Sequence, residues 1–220
     1  MIRMAESKMV IEVLVVDDHA LIRKGLRQIL DDTHDIRVTG EAETGMQAIS
    51  LVRDRDFGIV LLDITLPDKY GIDVLRQLKL QRPSLPVLVL SIHPEDEYAM
   101  RSIKAGAAGY MSKQSAPSQL VTAIRHVANG RKYISSTLAE QLANELIRPA
   151  VQTQPHQALS NREYQTLRLM ASGKSLSEMA DIMSLSAKTV SVYRARMMEK
   201  MGFRSNADAI RYAVNNHLVE

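Results

Sequence analysis

Cysteine is absent from the 220 residues. Disulfide bonds and thiolate metal sites are therefore excluded. No run approaches the roughly 20 uninterrupted apolar residues that cross a bilayer, so no membrane span is expected. The first nine residues, Met1-Ile-Arg-Met-Ala-Glu-Ser-Lys-Met9, have neither the apolar core nor the cleavage signal of a secretory leader. Internal repeats and long low-complexity tracts are also missing. These absences lead to the expectation of a soluble, cytoplasmic protein. Excess charge is missing too over the first two thirds of the chain. Residues 1–154 hold 19 basic and 19 acidic side chains, so the whole net charge of +3 comes from nine Lys/Arg against six Asp/Glu in residues 155–220. An excess confined to one small segment points to a polyanionic partner there.

What is present is a real core, 45% hydrophobic residues, in a length that suits two small domains. Up to residue 130, strand-like runs alternate with helical patterns. Ile11-Glu-Val-Leu-Val-Val16 reads as a strand, and Leu21, Ile22, Leu26, Ile29 and Leu30 follow at helical spacing. Ile36 to Gly40 is a weaker strand and Gly45 to Arg53 a second helix. Ile59 to Leu62, bounded by Gly58 and Pro67, reads as a strand buried on both faces. A helix over Ile72, Leu75 and Leu78 ends at Pro83 and Pro86, which open the strand Val87 to Ser91. A helix from Glu95 to Ala105 stops at Gly106. Ala108 to Ser112 is the fifth strand, and Pro117 opens a helix ending near Asn129-Gly130. Five such units predict a doubly wound parallel sheet.

Polar residues collect at the carboxyl ends of these strands, where open α/β sheets place ligands. The first strand delivers Asp17 and Asp18, the third Asp63 and the fourth Ser91, and Lys113 lies just past the fifth. Carboxylates sharing one crevice raise one another's pKa and need a cation. Hard oxygen ligands with open positions suit Mg²⁺. A hydroxyl and an ammonium beside them suit a phosphoryl group. Hydrolases with an Asp nucleophile on a similar sheet require a second Asp two residues on, and Thr65 stands there.

Val15-Val-Asp17-Asp18-His19, Leu61-Leu-Asp63-Ile-Thr-Leu-Pro67, Gly71, Leu90-Ser91, Gly106-Ala-Ala-Gly-Tyr110 and Lys113 make residues 10–130 resemble a response-regulator receiver domain, a flavodoxin-like fold. The resemblance implies that Asp63 takes a phosphoryl group from a phosphohistidine on a sensor histidine kinase. It implies that Asp17, Asp18, Asp63 and the backbone carbonyl of Thr65 hold Mg²⁺, and that Ser91 and Lys113 contact the phosphoryl oxygens. Tyr110 matches the aromatic whose rotamer, with Ser91, reports phosphorylation. The chain would then be a phosphoacceptor with self-catalysed transfer and hydrolysis, not an enzyme with a separate substrate. His93 could overhang this site, and the surface is the favoured place for it.

Residues 131–158 read as a connecting segment. It comprises a short amphipathic helix from about Ser136 to Ile147 and then a polar linker with Pro149 and Pro155, in which His156 reads as mere linker. Residues 159–220 read as four short helices. Ser160 with Glu163 forms a capping box. Ser175 caps the next helix, with Met179, Ala180, Ile182 and Met183 expected inward. Leu185-Ser186 turns into a helix from about Ala187 to Met201, with Val190, Met197, Met198 and Met201 as its buried stripe. A tight turn between the second and third helices describes a helix-turn-helix. The third helix would enter a major groove, with Lys188, Thr189, Ser191, Val192, Arg194, Arg196 and Lys200 as candidate DNA contacts. On charge alone, a protein-binding helical module in a phosphorelay is the competing reading.

Leu159-Ser-x-Arg-Glu163, Ala171-Ser-Gly-Lys-Ser175, Met179-Ala180, Leu185-Ser186, Lys188-Thr-Val190 and Glu199-Lys-Met201 resemble the LuxR-type helix-turn-helix. Leu176 and Ser191 depart from that pattern, which usually has Asn and often a basic residue at those places. With the preceding domain, the chain is similar to the NarL/FixJ family of two-component response regulators. The resemblance implies double-stranded DNA as partner, a homodimer when phosphorylated or DNA-bound, and RNA polymerase as a further candidate partner.

Overall fold

The structure, a computed structural model, describes residues 10–92, 97–147 and 154–219. The chain forms two compact units, residues 1–135 and 136–220. The first contains β1 (Ile11–Val16), α1 (Ala20–Asp31), β2 (Ile36–Ala42), α2 (Gly45–Asp54), β3 (Ile59–Asp63), α3 (Gly71–Gln81), β4 (Val87–Ser91), α4 (Glu97–Lys104), β5 (Gly109–Ser112) and α5 (Pro117–Ala128). All strand pairs are parallel, in the order β2-β1-β3-β4-β5. The chain winds one way from β1 to β2 and the other way from β3 onward. The strands on either side of that switch point, β1 and β3, lead into the Asp17–Asp18 pair and end in Asp63 respectively.

The strand sequences explain their positions. Every residue of β3 and of β4 is buried, as expected for the centre of a sheet covered on both faces. β2 alternates buried and exposed positions because it lies at the edge. Val13, Val15, Leu61, Leu88 and Leu90 pack with Leu30 of α1 and Leu120, Ile124 and Val127 of α5 in one apolar cluster. Burying each such side chain contributes about 2 kcal/mol. That rigid layer fixes where the strand ends point.

The loop after β3 depends on one glycine. The Gly71 N–H donates to the Ile64 carbonyl at 2.7 Å. A Cβ at Gly71 would lie 2.6 Å from Ile64 Cα and closer still to the Asp63 carbonyl. Only glycine lets α3 begin so near the acid at the end of β3.

Two boundaries and two helix faces differ from the sequence reading, the second of them on the helix that carries Ile182. The first unit continues past residue 130, because Tyr133 donates to the Ala108 carbonyl at 2.9 Å and forms a parallel bridge with Gly109. His156 is not free linker. It lies in a 3-10 turn, Pro155–Ala158, is 1% exposed, and its Nδ1 is 2.9 Å from the Tyr212 hydroxyl. Leu21 and Ile22, expected on the packed face of α1, are 82% and 37% exposed, while Arg23 is 7% exposed. Near the carboxyl edge α1 meets the loop after β1 rather than the apolar layer, so a cation faces inward there. The linker residues 148–153 and His93 lie outside the described residues.

The second unit comprises α6 (Ser136–Ile147), the 3-10 turn, α7 (Asn161–Ala171), α8 (Leu176–Met183), α9 (Ala187–Met201) and α10 (Asn206–Asn215). Serines cap each of the last four helices: Ser160, Ser175, Ser186 and Ser205. Their hydroxyls accept otherwise unsatisfied N–H groups, so each start is fixed locally. α9 ends at Gly202, whose φ of 65° is left-handed. Met179, Ala180, Met183, Val190 and Met197 are buried as expected, but Ile182 is 41% exposed. It lies off the arc that Met179, Ala180 and Met183 share at 100° per residue.

Candidate functional site

The registers bring the acidic residues together. Val16 pairs with Leu62, so Asp17 and Asp63 leave adjacent strands side by side. Both are buried, at 1% and 4% exposure. Lys113 Nζ lies 2.6 Å from Asp17 Oδ2 and 2.8 Å from Asp63 Oδ2. The lysine is held there because its backbone N–H donates to the Ser91 carbonyl at 2.7 Å. Removing the ammonium would leave two buried carboxylates facing each other without a counter-charge, a loss that typically costs on the order of 3–5 kcal/mol.

Burial pushes the Asp63 carboxyl up to about 6, against the downward pull of the Lys113 charge and hydrogen bond. Asp17 adds a further upward push, and the Thr65 N–H, donating to Oδ1 at 3.2 Å, a small downward one. Burial lowers the Lys113 pKa, but Asp63 and Asp17 outweigh it and hold the ammonium above its ordinary value. Ligand atoms of Asp17, Asp18, His19 and Asp63 lie within 4.8 Å of one another. His19 Nδ1 is 2.7 Å from Asp18 Oδ1. Three carboxylates, two buried and one facing solvent, fit a hard divalent cation that keeps open positions.

Each residue expected at this edge is there. Ser91 is buried at the end of β4, one position beyond the Leu90 that pairs with Asp63. Thr65 directly follows the acidic turn and bridges to Tyr70. Tyr110 is buried within β5. Sequence reasoning missed Arg23, whose Nη1 donates to the Asp17 carbonyl at 2.8 Å. The available signal was position: Arg23 shares a helix face with Leu26 and Leu30 at spacings of three and seven.

On α9, Lys188, Ser191, Val192, Ala195 and Arg196 are exposed and fall on one arc of the helix. Arg194 points elsewhere and donates to Asn206 Oδ1 at 2.6 Å. Lys200 Nζ lies 2.7 Å from Glu163 Oε2, which also accepts the Ser160 N–H at 2.8 Å. Burial pushes Glu163 up, but Lys200 and the Ser160 cap outweigh it and hold the carboxyl below its usual range. Thr189 supplies the N–H that Ser186 caps. Of the seven candidate contacts, Lys188, Ser191, Val192 and Arg196 form the outward set, Arg194 and Lys200 are engaged within the unit, and Thr189 is half-buried with its hydroxyl 2.8 Å from Ser186 Oγ.

Residues 13–125 match the response regulator receiver domain, and residues 157–213 match the bacterial regulatory proteins of the luxR family. The chain belongs to the NarL/FixJ family of response regulators. It is similar to the response regulator UvrY of Escherichia coli K12, 36% identical over 208 residues covering 94% of this chain and 95% of that one. It is similar also to the response regulator GacA of Pseudomonas aeruginosa PAO1, 36% identical over 210 residues covering 96% and 98%. Among solved structures, RcsB of Salmonella enterica serovar Typhimurium, bound to the promoter rprA with the phosphomimetic BeF3-, is 26% identical. It aligns with a TM-score of 0.62 over 92% of this chain and 98% of that one. This response regulator is a DNA-binding transcriptional regulator of a two-component system, and the reading of its helical domain as a protein-binding module falls away. None of the helices among the described residues is long and apolar enough to cross a membrane.

The raised Asp63 pKa makes a signed expectation. The folded state keeps the Asp63 proton to higher pH than the unfolded state does. The stability this group contributes is full below about pH 4 and lost as pH rises through about 6. Without divalent cations, Asp63→Asn should be more stable than wild type above pH 7, on the order of 2–3 kcal/mol. The gap should close near pH 4. Thermal melts across pH check this, and a gap independent of pH would contradict it.

Proposed function

We propose that Asp63 accepts a phosphoryl group from a phosphohistidine of a sensor histidine kinase, and that this controls DNA binding through α9. The observation that carries the proposal is the Lys113 ammonium joining the buried Asp17 and Asp63 carboxylates at the switch point of the sheet. An Asp63 oxygen attacks phosphorus in line, and the bond from phosphorus to the kinase imidazole breaks. Lys113 turns from the carboxylates to an oxygen of the transferred group, and the Ser91 hydroxyl donates to another. Asp17, Asp18, Asp63 and the Thr65 carbonyl would hold Mg²⁺, with His19 close by. When bound, Mg²⁺ supplies neutralisation of the charge that builds up on the phosphoryl oxygens. Hydrolysis of the resulting acyl phosphate is self-catalysed, so the chain turns over no separate substrate.

The acyl phosphate places roughly two negative charges beside Ser91, where the ionised carboxylate carried one. Movement of Ser91 toward them opens space beside β4 into which Tyr110 turns, changing the α4–β5–α5 surface. In the DNA-binding domain, Lys188, Ser191 and Val192 face base edges while Arg196 meets phosphates, and Thr189 first completes the Ser186 cap. Arg194 and Lys200 act first by holding α9 to Asn206 and Glu163, with phosphate contact as a second role. Solved RcsB assemblies include two dimers bound to two parallel DNAs. By analogy this chain works as a homodimer on paired half-sites, in the cytoplasm, with RNA polymerase as a further partner.

A small phosphodonor with Mg²⁺ should label wild type and leave Asp63→Asn unlabelled, since an amide cannot be the nucleophile. Labelling of both to the same extent, read by mass spectrometry, would sink the assignment. For DNA, Lys188→Ala should relax sequence preference at one base position, worth about 1–3 kcal/mol, while Arg196→Ala should weaken all duplexes alike and reduce the salt slope by about one. Binding isotherms over a salt series measure both. The reverse pattern would mean that α9 is rotated about its axis relative to this reading.

A further inference from the structure

The turn between β2 and α2, with the first residues of α2 (residues 43–46), is tied to both halves of the acidic pocket by side chains outside every motif. On one side stands Arg23. Its Nη1 donates to the Asp17 carbonyl at 2.8 Å, its Nη2 to Glu43 Oε1 at 2.5 Å and its Nε to Glu41 Oε2 at 3.2 Å. Arg27 above all, with help from Arg23 against the cost of burial, holds Glu41 below the usual carboxylate range. On the other side stands Asp68, in the loop after Asp63. It accepts the Gly45 N–H at 2.8 Å and the Met46 N–H at 2.9 Å, the first two donors of α2. Those donors have no partner within their own helix and carry its positive end, so a carboxylate is well suited to hold them.

A continuous strut thus runs from the Asp17 carbonyl through Arg23, the β2–α2 turn and Asp68 into the loop that begins at Asp63. We propose that this strut sets the spacing between the Asp17–Asp18 carboxylates and the Asp63 carboxylate, making Arg23 and Asp68 positioning residues for Mg²⁺. The proposal rests on the reading of the pocket as a Mg²⁺ site. Its geometry suits the task. A guanidinium offers a rigid fork of donors, and Arg23 spends them on one carbonyl and two carboxylates at once, which an ammonium on a flexible stem cannot reproduce. Partners of this kind, one shell beyond the metal ligands, change metal affinity about 10–100-fold when removed.

Simple electrostatics makes the opposite prediction for one variant. Arg23 is a cation near a cation site, so neutralising it should tighten Mg²⁺ binding if charge were its only role. A positioning role requires weakening. Calorimetric Mg²⁺ titrations of the full chain decide between them. Arg23→Gln and Arg23→Lys should each bind about tenfold more weakly. Asp68→Glu, which keeps the charge and displaces the carboxylate, should bind severalfold more weakly. Arg23→Gln combined with Asp68→Glu should be no weaker than the weaker single variant, because either change releases the same turn. Affinity equal to or tighter than wild type in Arg23→Gln overturns the strut, as does full rescue by Arg23→Lys. If Arg23→Gln does not fold, Asp68→Glu carries the test, and wild-type affinity in it overturns the proposal. Asp18→Ala is run alongside. Unchanged affinity there would overturn the Mg²⁺ reading itself, whereas lost affinity there with none lost in the strut variants would overturn the strut alone.

Discussion

Two buried carboxylates side by side are unstable without a counter-charge, and most of the first domain serves that constraint. Asp17 and Asp63 are adjacent because β1 and β3 pair in parallel and in register, and both strands are locked by apolar layers on their two faces. Lys113 reaches them because β5 lies two strands from β3 and its end is held to β4 through the Ser91 carbonyl. The ammonium satisfies the pair, but not fully: Asp63 still holds its proton to about pH 6. A site left slightly short of positive charge is one that a divalent cation can complete. Gly71 lets α3 begin against the Asp63 and Ile64 backbone, and the Thr65 N–H steadies the same carboxylate locally.

The DNA-binding domain is fixed by a different device. Its helices are short, so local starts matter, and four serine caps define them. Glu163 links one cap to the recognition helix, since it closes the Ser160 box and also receives Lys200. A cation on α9 is therefore engaged in orienting α9 on α7. The outward arc with Lys188, Val192 and Arg196 remains exposed. Arg194 is set apart by helical geometry, lying two positions past Val192 and so roughly 200° around the helix, whereas Lys200 lies only four positions past Arg196 and is drawn away by Glu163.

Much of this was legible in the sequence. Parallel strands buried on both faces produce continuous apolar runs, and each run ends in the polar residue that matters, so the fold and the acidic edge could be read together. Capping boxes are local and were equally readable. What escaped was tertiary in origin. Arg23 breaks the apolar stripe of α1 because the end of that helix lies over a carbonyl and two glutamates supplied from elsewhere in the chain. His156 carried no local signal, since its burial comes from Tyr164 and Tyr212. Ile182 was misassigned because a helix of eight residues gives too few turns to define its buried arc.

The central claim is that the charge state of one carboxylate at the sheet edge governs DNA binding by a separate helical domain. It is tested most directly by the affinity of the full-length protein for a duplex recovered by genome-wide mapping of its bound sites. That affinity is measured with and without a small phosphodonor and Mg²⁺, in wild type and in Asp63→Asn. We predict that the donor tightens binding by wild type and leaves the Asp63→Asn variant unchanged. Equal tightening of both proteins, or none in wild type despite phosphate on Asp63, would contradict the claim.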